Sequence, residues 1–207
     1  MKTRQRLSIL GAVVGVALGA SLPAAIAAPT DPRGGHVEFE RFEDAGTEQL
    51  SGQDLGCPQI SGTVTRSYDV TGLHKATARG RDGLVHFLDA VHGTETFSAN
   101  GHTFTHEFNA VFRDHKVVDE GDTLLITGLA AGFDRYSLDG DRLFLDTGTN
   151  RVQFRVDHAG TPTDPSDDPE DSFEFLGVVK PSTGRNDTQD RDFCADLIEF
   201  LDLTVVP

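Results

Sequence analysis

Six carboxylates fall between Asp157 and Asp171, at Asp157, Asp164, Asp167, Asp168, Glu170 and Asp171, interleaved with Gly160, Pro162, Pro165 and Pro169. Flexible acidic loops of this kind supply the roughly six to eight oxygens that calcium takes. The pattern is not an EF-hand, because Asp157-His158-Ala159-Gly160 lacks acids at the third and fifth positions and no Glu stands at the twelfth. The segment predicts either a loop stiffened by calcium through Asp157, Asp164, Asp167 and Asp168, or a solvated hairpin tip without a cation. No other cofactor is implied.

Histidine offers a second chemistry, since His102-Thr103-Phe104-Thr105-His106 has the i, i+4 spacing of helical zinc sites. The segment alternates as a strand does, however, and four residues at about 3.4 Å each put the two Cα atoms roughly 13 Å apart. They read as ordinary strand histidines; pairing with His86 or His92 on another strand is not specified by the sequence. Glycosidase chemistry needs two carboxylates at a set distance, which a chain this acidic always contains, so the pair carries no signal. The chain lacks Trp and has only Tyr68 and Tyr136, which removes the usual aromatic platforms for sugars. Asn186-Asp187-Thr188 matches a glycosylation sequon. Gly-x-Ser-x-Gly, Gly-x-Gly, a lysine following glycine, Cys-x-x-Cys and His-Glu-x-x-His are all absent, so no residue is assigned a catalytic role.

The N-terminus sets the compartment in which such residues would act. Lys2, Arg4 and Arg6 precede an uncharged apolar run from Leu7 to Ala20 and a small-residue segment ending Ala25-Ile26-Ala27. That is the form of a cleaved secretory signal peptide over residues 1–27, and the run is shorter than the roughly 20 residues needed to span a bilayer. Residues 28–35 are Pro and Gly rich and read as a flexible segment, leaving 36–207 as a single β domain. The expected location is extracellular, with no membrane insertion after cleavage. Of the 18 Lys and Arg, three leave with the signal, so 15 face 33 Asp and Glu, a formal charge of −18. Such a surface repels phosphate backbones and anionic lipid heads, which excludes nucleic acid as a partner and leaves a cation, a small ligand or an unidentified macromolecule.

Only Cys57 and Cys194 occur. Two thiols in an oxidising compartment usually pair, and the bridge would close nearly the whole domain; the alternative is two inert buried thiols.

Period-2 alternation dominates the remaining sequence. Val152, Phe154 and Val156 face one way while Arg151, Gln153, Arg155 and Asp157 face the other, and Phe104, Phe108 and Phe112 share a face with His102, His106 and Ala110. Further strands are predicted at 37–42, 59–68, 73–79, 84–97, 123–138, 143–146 and 172–180. Asn100-Gly101, Glu120-Gly121-Asp122 and Asp139-Gly140-Asp141 stand between apolar runs at hairpin spacing. One short C-terminal helix is expected at 192–201, where Phe193, Leu197 and Phe200 form a stripe, and docking it over the sheet would bring Cys194 to Cys57. The fold class is therefore all-β, an antiparallel meander of about eight strands. A closed barrel is preferred to a sandwich, because hairpins dominate and closure removes exposed edges.

Several stretches together resemble a group of secreted proteins of high-GC Gram-positive bacteria that has no established function. They are Val37-Glu38-Phe39 with Asp44 and Gly46, Cys57-Pro58, Gly83 to Phe87, His92-Gly93-Thr94, Gly160 to Asp168, Phe175 to Lys180, Ser182 to Asp187 and Asp192 to Ala195. The resemblance covers most of the mature chain and implies export and the pairing of Cys57 with Cys194, but no activity.

These readings converge on a secreted, disulfide-stapled acidic β domain serving as a non-catalytic binding or interaction module. The alternatives are a barrel enzyme without a local motif, such as a cyclase or hydrolase, and a barrel carrying a small apolar ligand. In the last case Phe104, Phe108, Phe154 and Phe175 are the lining residues; their commoner role is to fill a core.

Overall fold

A computed structural model describes residues 37–165, 168–169 and 172–206. The expected signal peptide 1–27, the flexible segment 28–35 and Asp167 lie outside the described residues.

Among the described residues seven strands follow one another: β1 (Val37–Ser51), β2 (Thr63–Arg79), β3 (Leu84–Ala99), β4 (His102–Asp119), β5 (Thr123–Leu138), β6 (Asp141–Asp157) and β7 (Phe173–Lys180). They form one antiparallel sheet in chain order, with the short helix α1 (Phe193–Phe200) after it. The predicted runs 59–68 and 73–79 are parts of a single strand. Asp69 to Gly72 stay in register with β1 and β3, pairing Val70 with Asp44 and Gly93. The runs 143–146 and 151–157 likewise merge into β6 through Thr147 to Asn150, with Gly148 opposite Gly132. Polar and glycine residues hold these ladders because the backbone pairs continue on both sides of them. Residues 59–61 pair instead with the C-terminal tail, through the Ile60–Val205 bridge and the Ser61 N–H donated to Thr204 O.

Both two-residue hairpin turns fall where the sequence puts them. Asn100 and Gly101 have φ of 52° and 86°, and Asp139 and Gly140 have 51° and 93°, the doubly left-handed geometry of a type I′ turn.

An odd number of alternating strands leaves the first and last running the same way. Among the described residues β1 and β7 are not paired with each other, so both are edges and the pairing that would close a barrel is not made. One face of the sheet carries the core. At one end Val64, Phe97, Phe104 and Tyr136 pack with Leu197 and Leu201 of the α1 region and with Cys57 and Ile60. At the other, Leu84, Leu124, Ile126 and Phe154 form a second cluster. Asp192 caps α1 by accepting the Ala195 N–H at 2.9 Å. Cys57 and Cys194 are bridged, their Cα atoms 5.5 Å apart across a separation of 137 residues, so the disulfide ties α1 to the segment that precedes β2.

Candidate functional site

Between the two core clusters the apolar phase of the strands is interrupted by charged residues, the pair His74 and Asp89 among them and, nearer the α1 end, a group of four. β2 contributes Arg66, β3 Glu95, β4 His106 and β5 Asp134, and register brings them together: His106 stands opposite Glu95 on one side and Tyr136 on the other. His106 Nε2 lies 2.8 Å from Asp134 Oδ1, and its Nδ1 faces Glu95 Oε2 at 3.9 Å. Glu95 in turn accepts from the Arg66 Nε, and Arg66 Nη1 donates to Glu48 at 2.8 Å. The imidazole lies flat on the Tyr136 ring, 4.5 Å between centroids and 3° between planes.

Burial alone would lower the His106 pKa, yet hydrogen bonds and charge from Asp134 and Glu95 outweigh it and raise the group above its ordinary value. Glu95 mirrors this: burial pushes it up, and His106 and Arg66 pull it below the usual carboxylate range. Burial raises the Tyr136 phenol, assisted by the surrounding carboxylates Asp134, Asp146, Glu95 and Asp196. A histidine beside carboxylates is the material of acid–base catalysis, but a general base must reach a substrate proton. Here both ring nitrogens face carboxylates, one ring face is covered by Tyr136, and only 8% of the residue is exposed. The arrangement holds charge within the sheet.

Two further buried carboxylates are structural anchors. Asp114 accepts the Phe87 N–H at 2.8 Å beside the β4 bulge, where the β3–β4 ladder ends. Burial lifts its pKa to about 6, against the hydrogen bond from Phe87 and with Asp89 adding to the rise. Asp146 accepts the Asp187 N–H at 2.6 Å, the Thr188 N–H at 3.2 Å and the Thr188 hydroxyl, fixing the segment after β7 against β6. Thr188, the third residue of the sequon, is thereby buried, while Asn186 remains exposed.

The acidic loop is organised by its backbone. Asp157 Oδ1 accepts the Ala159 N–H at 2.9 Å, and His158 O accepts the Thr161 N–H at 2.8 Å. His158 itself is 1% exposed, its Nε2 3.6 Å from Asp119 Oδ1. Among the described residues no three His, Cys, Asp or Glu side chains gather into a group that could hold a metal, so Asp157, Asp164 and Asp168 are not assembled into one.

The four phenylalanines considered as ligand-lining are dispersed. Phe104 is core, its ring 5.5 Å from Phe200, and Phe154 belongs to the opposite cluster. Phe108 is half-buried beside His106, and Phe175 is exposed on β7. His102 pairs with Asp139 at 2.8 Å, while His92 contacts Thr71, so the histidines of β3 and β4 do not converge.

What the sequence did not disclose is that β7 has no further strand beside it among the described residues. β7 reads Phe-Glu-Phe-Leu-Gly-Val-Val-Lys, and all five of its large apolar side chains are exposed: Phe173 59%, Phe175 57%, Leu176 40%, Val178 55% and Val179 52%. β1, the other edge strand, also exposes Phe39 and Phe42 but intersperses them with the exposed carboxylates Glu40, Glu43, Asp44 and Glu48. An apolar run carrying a single acid and a single lysine, standing last among the strands, was the signal available in the sequence. Comparison of the chain with protein-family models, curated proteins and solved structures gave no match.

Proposed function

We propose that the protein is a secreted, non-catalytic interaction module that engages its partner through the free edge of β7. The observation that carries this reading is the exposure of all five large apolar side chains of that eight-residue strand. An open strand edge offers unpaired N–H and C=O groups, and an extended segment can add to it as a further strand while its side chains cover the apolar ones. The full engagement of His106 by its neighbours favours interaction over catalysis. The Cys57–Cys194 bridge agrees with an oxidising, extracellular compartment.

Selection of extended peptides from a random library tests the reading. Wild-type protein should enrich apolar sequences that lose binding to a variant carrying Leu176→Asp and Val179→Asp, two exposed positions whose change leaves the core intact. Absence of enrichment, or equal binding by the variant, overturns it.

A further inference from the structure

We infer that the partner of the β7 edge is a second copy of the same chain, paired β7 to β7 about a two-fold axis. This rests on the reading of β7 as the interacting edge. The chain cannot satisfy that edge with an antiparallel partner of its own, since β1, the only other edge strand among those described, runs parallel to it. β1 also carries an acidic border that a net-negative second copy would avoid. A two-fold axis perpendicular to β7, by contrast, sets the strand antiparallel to its own copy.

The β7 sequence is complementary to itself in that orientation. With Gly177 on the axis, Glu174 stands opposite Lys180 of the second copy and Lys180 opposite its Glu174, while Phe175 faces Val179 and Leu176 faces Val178. Within the sheet Glu174, Gly177 and Lys180 pair with Arg155, Gln153 and Arg151, alternate residues of β6 that share one face. Both charge pairs therefore form on one side of the new ladder, and the glycine at its centre offers no side chain to collide. Opposite charges directly across an antiparallel pair favour the register, and like charges there oppose it. Glu174 already accepts from Arg155 at 3.0 Å and has a second carboxylate oxygen to offer.

Sedimentation velocity of the mature full-length protein over a range of concentrations decides the matter. The wild type should sediment with twice the chain mass, reversibly with dilution. Glu174→Lys and Lys180→Glu should each shift the protein to monomer, by setting like charges opposite one another twice. The variant with both changes should restore the dimer, and circular dichroism should report an unchanged fold throughout, because both sites are exposed. A wild type that stays monomeric, a dimer that neither single change weakens, or a double variant that remains monomeric overturns the second copy as partner. Where wild type is monomeric but the peptide selection still depends on Leu176 and Val179, only the second copy falls. Where that selection also fails, the β7 edge falls with it.

Discussion

Asp134 holds the Nε2 edge of His106 at 2.8 Å within a face of the sheet that otherwise carries Phe104, Phe108 and Tyr136. His106 is raised above its ordinary value of 6.5 by that contact and by Glu95. A base raised in this way contributes stability that is complete below pH 6.5 and is lost as pH rises through the folded value. Asp134→Asn should therefore cost roughly 3 kcal/mol at pH 6, the scale for removing one partner of a buried pair. It should also flatten the fall in stability above pH 6.5. Urea denaturation of both proteins across pH 5.5 to 8.5 checks this; parallel curves would show that His106 does not titrate with folding.

The disulfide can be weighed from chain length alone. Closing a loop of 137 residues removes about 5 kcal/mol of denatured-state entropy on the chain-entropy model. That is comparable with the whole stability of a small domain. The Cys57→Ser, Cys194→Ser variant should lose most of its folded population at 37 °C, because α1 loses its tether and Leu197 and Leu201 lose their place over Val64 and Phe104. Loss of under 1 kcal/mol in urea melts would mean that packing alone holds α1.

The pattern of strands, the two Asn-Gly and Asp-Gly hairpins, the terminal helix and the cysteine pair were all legible, since each depends on local alternation or on turn chemistry. The strand count was not. Residues 69–72 and 147–150 fall between the predicted strands and are carried through by neighbouring ones, an effect of register that no local window contains. The buried cluster was legible only in part. Asp134 falls on the apolar phase of Leu124, Ile126 and Tyr136, but that it meets His106 rather than another strand depends on which residues face each other across the sheet. The preference for a closed barrel leaves no strand at an edge, so the free side of β7 was not expected.

Gly184 offers a test of the segment that returns from β7. A methyl group on it would overlap the Thr147 carbonyl, the next residue after Asp146, which anchors Asp187 and Thr188. Gly184→Ala should displace residues 182–188 from β6, expose Asp146 and cost roughly 2 kcal/mol, within the usual range for a lost buried acceptor contact. Hydrogen exchange at the Asp187 and Thr188 amides should rise with little change in β2 to β4. Unchanged protection there would show that the segment accommodates the methyl group.

Asp114 sets the opposite ordering of pH and stability from an ordinary ion-paired carboxylate. Its pKa is pushed up to about 6 from 3.8. The folded state therefore holds its proton where the unfolded chain has released it, and stability declines as pH rises from about 4 through 6. The full difference amounts to at most about 3 kcal/mol, reduced by whatever water reaches the carboxylate. Asp114→Asn keeps an oxygen to accept from the Phe87 N–H and removes the charge, so it should stabilise the protein above pH 6.5 and leave it unchanged near pH 3.5. Because His106 also loses its contribution on the alkaline side, the wild type should be more stable near pH 5 than near pH 8. Thermal melts of wild type and Asp114→Asn at pH 3.5, 5 and 8 check both statements: a variant no more stable than wild type at pH 8 would mean that a cation compensates the ionised Asp114, for which Arg79, whose charge opposes the rise, is the candidate.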